Sequence, residues 1–105
     1  MYNTECSTIK VTLSVMGGKW KPLILYLLYK NKVLRFSELK NRIEGITQKM
    51  LTQQLRELET DSVISRKVYR TVPPKVEYSI TDHGSTIMPI LLDMEAWGKK
   101  HESSQ

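Results

Sequence analysis

The segment GITQKMLTQQLRELE, residues 45–59, concentrates side chains that make directed hydrogen bonds. At helical spacing Gln48, Lys49, Thr52, Gln53 and Arg56 share one side, with Thr47 at the start, while Leu51, Leu55 and Leu58 share the other. Amides both donate and accept, whereas lysine and arginine only donate. No carboxylate enters this stretch before Glu57. Such a face suits nucleic acid: amides pair bidentately with adenine, and cations bond guanine or phosphate. Glu57 and Glu59 are expected in the half that points away from such a partner. The plainer alternative is a solvated helix face, for which Gln and Lys are ordinary residues.

A second cluster, Arg66, Lys67, Arg70 and Lys75, occupies residues 66–75 without any acid. Cys6 is the one thiol, with Lys10 a turn beyond it and Glu5 just before. His83 and His101 lie far apart and cannot complete a zinc set with a single cysteine. There is no defensible Ser-His-Asp arrangement and no glycine-rich phosphate loop. No catalytic residue, metal or cofactor is therefore expected.

The totals fit one globular domain over residues 1–105, with 40% hydrophobic and 26% charged residues. Sixteen basic residues against eleven acidic ones give a net charge of +5. That balance tolerates a polyanionic partner, and its excess is local to residues 66–75. One cysteine excludes an intramolecular disulfide and makes a reducing cytoplasm the default. The N-terminus carries no signal-peptide pattern. The longest apolar run, LILYLLY, falls far short of the ~20 residues that span a bilayer.

These clusters need elements to hold them. STIKVTLSVMGG reads as a helix with Ile9, Leu13 and Met16 on one arc, ended by Gly17-Gly18. KWKPLILYLLYK reads as a central buried helix, with Pro22 in its first turn, Leu23, Leu27 and Tyr26 or Lys30 at turn spacing, and Ile24 and Leu28 widening the apolar face. VLRF is a short extended piece. Ser37 is the expected N-cap of the next helix, with Leu39 and Ile43 facing inward. Gly45 breaks that helix, Thr47 caps its successor, and Ile46 serves as a hydrophobic staple. After Ser62 the pattern turns to strands, VISRKVYR and VEYSI, joined by TVPPK, whose prolines cannot donate to a ladder.

Thr81 caps a last helix reaching about His101, which Pro89 is expected to kink. Its apolar residues, from Ile87 to Trp97, span about 220° at roughly 100° per residue. A surface helix on one core needs an apolar stripe of about 100° or somewhat more. The surplus implies a second partner.

The order is helix, helix, extended piece, helix, tight turn, helix, strand, loop, strand, helix. This mainly α arrangement with a small β-hairpin (α+β) is a winged helix-turn-helix, in which the second helix of the pair enters the major groove of duplex DNA.

MGGKWKPLILYLL, RFSELKNRIEGITQKMLTQQLRELE, VYRTVPPKVEYSIT and the closing EAWG resemble the HxlR-type transcriptional regulators, a MarR-like branch of winged-helix proteins. The resemblance covers residues 6 to about 98. It implies a cytoplasmic, non-enzymatic regulator that binds inverted repeats as a homodimer. It implies that the first and last helices build the dimer interface, here through Ile9, Leu13, Leu91, Met94 and Trp97. It assigns groove reading to Thr47, Gln48, Lys49, Thr52, Gln53 and Arg56, and backbone or minor-groove contact to Arg66, Lys67, Arg70 and Lys75. Several members sense oxidants or electrophiles through a cysteine matching Cys6. Two departures stand out: Ser62 replaces a usual glycine, and Ser7 replaces a frequent proline. A small-molecule effector between the dimer helices is left open, since no residue pattern identifies one. The rival reading is a winged helix used as a protein-interaction module without specific DNA binding, for which a neutral or acidic wing would be expected.

Overall fold

Helix α1 (Ser7–Met16) closes where the Gly17 N–H donates to the Leu13 carbonyl at 2.8 Å and Gly18 takes a φ of 83°. The computed structural model describes residues 5–105, so Thr4, where the sequence places the start of the domain, lies outside the described residues. Helix α2 (Lys21–Asn31) starts with Pro22 in its first turn, where the missing N–H has no helical partner to lose. Its buried residues are Lys21, Ile24, Leu25 and Leu28. Leu23, expected on that face, is exposed. The helix is apolar almost all round, so periodicity alone could not select the buried side.

Strand β1 (Val33–Arg35) leads directly into α3 (Phe36–Arg42). Ser37 is not the cap. Pairing with the sheet holds Arg35 extended, and its N–H donates to the Glu38 carboxylate at 2.8 Å, so the helix begins at Phe36. The turn to α4 (Gln48–Thr60) uses Gly45 at a φ of 85°. Thr47 caps α4 by accepting the Met50 N–H at 3.1 Å. Ile46 and Leu51 both belong to the core, as a staple requires.

Strands β2 (Ile64–Tyr69) and β3 (Lys75–Ile80) pair antiparallel, and β1 adds to the other side of β3. The result is a three-stranded sheet rather than a hairpin alone. Tyr78, at the centre of β3, is buried, and Val76 and Ile80 pack against the core.

The C-terminal segment is two helices, not one kinked helix. Thr81 caps α5 (Asp82–Ser85) by accepting the Gly84 N–H at 2.9 Å. The chain then restarts as α6 (Met88–Ser103), with Pro89 in its first turn. A proline without an N–H fits a helix start, and here it sets one. Among the described residues no helix is long and apolar enough to cross a membrane.

The core gathers Ile24, Leu25 and Leu28 of α2, Leu39 of α3, and Leu51, Leu55 and Leu58 of α4. Val63, Ile64, Tyr78, Met88 and Leu91 close it from the sheet and α6. The radius of gyration is 15.4 Å, above the roughly 13 Å of a compact chain of this length.

Ser62 holds a φ of 61° in the turn from α4 to β2. Left-handed backbone costs a non-glycine residue about 1–2 kcal/mol, partly offset by the extra entropy that glycine has in the unfolded chain. Ser62→Gly should stabilise the protein by roughly 0.5–1 kcal/mol. Urea unfolding should show a higher midpoint at unchanged slope; a lower midpoint would mean that Ser62 is favoured there by its side chain.

Candidate nucleic-acid interface

Burial of Leu51, Leu55 and Leu58 sets the roll of α4 about its axis. Gln48, Lys49, Gln53 and Arg56 are consequently exposed and Thr52 half-exposed. All five line one shallow concave surface, and Glu57 lines it with them. The Thr52 hydroxyl is turned back to the Gln48 carbonyl at 2.8 Å, which leaves the amides and cations as the outward donors and acceptors.

Glu57 therefore does not point away, as the sequence alone suggested. Its Oε1 lies 2.7 Å from the Lys21 Nζ, and its Oε2 accepts from the Gln53 Nε2 at 3.3 Å. Lys21 is only 7% exposed. Its ammonium also donates to the Ser14 carbonyl of α1 at 3.1 Å. Hydrogen bonds from Lys21 and then Gln53, with the charge of Lys21 added, hold the Glu57 carboxyl below the usual range.

The four cations of the second cluster separate. Lys67 pairs in register with Glu77, and Tyr69 with Lys75, so these residues share the outer face of the hairpin. There Lys67 and Lys75 both stand over the Tyr69 ring, at 4.8 and 4.5 Å from its centre. Lys75 also lies 3.7 Å from Glu77. Arg66 is on the opposite face, beside Thr52, Leu55 and Arg56 of α4. Arg70 is exposed at the start of the loop, whose tip carries the fully exposed Val72.

Cys6 is exposed at the residue preceding α1. Ile9 and Leu13 of α1 are 63% and 59% exposed, and Met94 and Trp97 of α6 are 49% and 67% exposed. Leu91, grouped with them from the sequence, is instead buried in the chain's own core.

Residues 15–105 match the HxlR-like helix-turn-helix family. The chain belongs to that family. It is 48% identical over 102 residues to the HTH-type transcriptional regulator BH0655 of Halalkalibacterium halodurans, covering 97% of this chain and 90% of that protein. Among solved structures it is similar to the redox regulator HypR. The oxidised form is 48% identical with a TM-score of 0.85, covering 89% of this chain and 95% of that one. The reduced form is 47% identical with a TM-score of 0.86, covering 90% and 93%. It also resembles reduced YodB from B. subtilis, at 33% identity and a TM-score of 0.77, covering 90% and 92%. This HxlR-like chain is thus a helix-turn-helix transcriptional regulator of winged-helix fold, from a regulatory rather than an enzymatic family.

The residue that sequence reasoning missed is Lys21. A lysine beside a helix-initiating proline looks solvated, and nothing in its neighbourhood announces a partner 36 residues on. The available signal was indirect: Glu57 is the first carboxylate on an otherwise acid-free face, and such a group needs a cation.

The lowered pKa of Glu57 carries a sign for stability. A depressed carboxyl contributes stability above its unfolded pKa, about 4.3, and loses it as pH falls through the folded value. The urea midpoint should therefore fall below about pH 4, and Glu57→Gln should flatten that part of the profile. An identical acid limb in both proteins would assign it to other carboxyls.

Proposed function

We propose that two copies of this chain form a homodimer that binds an inverted-repeat operator in double-stranded DNA. Helix α4 of each copy lies in a major groove, and the hairpin loop reaches the adjacent backbone or minor groove. The observation that carries this reading is the α4 surface lined by Gln48, Lys49, Thr52, Gln53 and Arg56. Its only carboxylate, Glu57, is already neutralised by Lys21. Phosphate would repel a free carboxylate there, and a paired one is compatible with DNA. The basic hairpin beside this face favours DNA over a protein partner. Arg66 shares a neighbouring recess with Thr52, Arg56 and Glu59 of α4, while Lys67 and Lys75 serve a different face.

The uncovered apolar residues of α1 and α6 support the dimer. Ile9 and Leu13 line one recess with Ile90 and Met94, so the two helices offer a continuous apolar surface to a second copy. Two recognition helices would then sit about one DNA turn apart, roughly 34–36 Å. Light scattering at micromolar concentration should give twice the 12.2 kDa chain mass, and a monomer would overturn the arrangement.

Gln53→Ala should weaken operator binding by an amount matching the loss of one bidentate base contact, about 1–3 kcal/mol. The salt dependence should stay unchanged. Arg70→Ala should instead weaken binding to all duplexes and lower the slope of log K against log salt by about one. Fluorescence anisotropy across a salt series measures both. Equal slopes for Arg70→Ala and wild type would place the loop away from phosphate.

The redox reading of Cys6 rests on its exposed position before α1 and on the likeness to HypR, a redox regulator by name. With one thiol per chain, any disulfide joins this chain to a second molecule. Diamide should change operator affinity in the wild type and leave Cys6→Ser unaffected; equal responses would remove Cys6 from the mechanism.

A further inference from the structure

The Gln53 amide can present either its oxygen or its NH2 to a neighbour, and its neighbour on α4 is Glu57. A carboxylate accepts hydrogen bonds and cannot donate them. The Gln53 group that meets Glu57 Oε2 at 3.3 Å is therefore the NH2, whichever way the amide is drawn. One N–H of that group is taken up by the carboxylate. The other N–H and the carbonyl oxygen stay available to an outside partner.

Glu57 is itself held. Its second oxygen is 2.7 Å from Lys21 Nζ, and Lys21 is anchored in turn on the Ser14 carbonyl at 3.1 Å. Lys21 is buried, so its ammonium has few other partners to turn to. The chain of contacts runs from α1 through α2 to the exposed face of α4.

We propose that Glu57, locked by Lys21, is a positioning residue that fixes the Gln53 amide with one acceptor and one donor outward, and so sets a preference for adenine. Adenine offers the complementary pair, the N6 amino donor and the N7 acceptor, whereas guanine offers two acceptors, N7 and O6. An untethered glutamine samples both amide orientations and many rotamers, and it loses that freedom on binding. The inference rests on the reading of α4 as the sequence-reading helix.

The isosteric change Glu57→Gln separates this role from mere packing. Lys21 Nζ only donates, so the new amide must turn its oxygen to Lys21 and its NH2 to Gln53. Gln53 then turns its own oxygen inward to accept, and its outward edge becomes donor-rich. The preference should move from adenine towards guanine.

The test enriches bound duplexes from a random 20-base-pair DNA pool, using the full chain of wild type, Gln53→Ala, Glu57→Gln and the double variant Gln53→Ala/Glu57→Gln. Thermal melts confirm that each is folded. Wild type should enrich a motif with an adenine whose preference Gln53→Ala abolishes. Glu57→Gln should reduce that adenine preference about three- to tenfold, raise guanine at the same position and leave flanking positions unchanged. In the Gln53→Ala background Glu57→Gln should have no further effect there, since coupled residues are non-additive. If Glu57→Gln folds poorly, Lys21→Met/Glu57→Leu removes both charges together and should lose the adenine preference without gaining guanine. Wild-type preference retained in Glu57→Gln overturns the proposal, as does an equal effect with and without Gln53. A wild-type motif that ignores Gln53 overturns it while leaving DNA recognition by the domain intact. No enriched motif in the wild type removes the α4 reading itself, and this inference with it.

Discussion

What α4 buries decides what α4 shows. Leu51, Leu55 and Leu58 occur at the i, i+4, i+7 spacing of one helical face and are all buried. Truncating such a side chain leaves a cavity costing about 2–5 kcal/mol. A rotation of the helix by one residue would expose the same leucines, so the roll is tightly held. The Thr47 cap and the left-handed Gly45 fix where the helix begins. Together these place Gln48, Lys49, Gln53 and Arg56 outward, and Gln53 is held further by its hydrogen bond to Glu57.

The Lys21–Glu57 pair adds a restraint of another kind. Lys21 is the first residue of α2, where the helix dipole disfavours a cation. It is also largely removed from water, and a buried ammonium without partners is costly. The Ser14 carbonyl and the Glu57 carboxylate satisfy it. The Glu57 side chain is 43% exposed, so the pair is screened by solvent and its net energy is smaller than that of a fully buried bridge. Its value is geometric: it joins three helices at one point and neutralises the carboxylate that lies among Gln48, Lys49, Thr52, Gln53 and Arg56.

The terminal helices carry the opposite signature. Met16 of α1 and Met88 and Leu91 of α6 are buried in the core, while Ile9, Leu13, Ile90, Met94 and Trp97 are left in water. Apolar surface left in water on two neighbouring helices is what the proposed dimer would cover. Trp97 stacks on His101 with ring centres 4.8 Å apart, which orders the outer end of that surface. Helix α1 thus connects, through Ser14 and Lys21, to the helix proposed to read DNA.

Much of this was legible from the sequence because it depends on local rules. The leucine period identified the inward face of α4, Thr47 and Thr81 announced helix starts, and VISRKVYR and VEYSI announced the two strands of the hairpin. Local rules failed where two elements competed for one residue. Ser37 lost the cap of α3 because β1 held Arg35 extended. Pro89 began a helix because α5 ended first. Leu23 lost to Leu25 because α2 is apolar on nearly every side and only its neighbours could select a face. The sequence by itself determined the winged-helix order, the helix pair and the chemistry of the α4 surface, since each follows from spacing along a few turns. Only the tertiary structure decided that Lys21 meets Glu57, that Arg66 and Lys67 face opposite ways, and that Leu91 is core while Met94 and Trp97 are not. Those outcomes depend on which surfaces meet across the fold, and contact between residues distant in the chain leaves no period in the sequence.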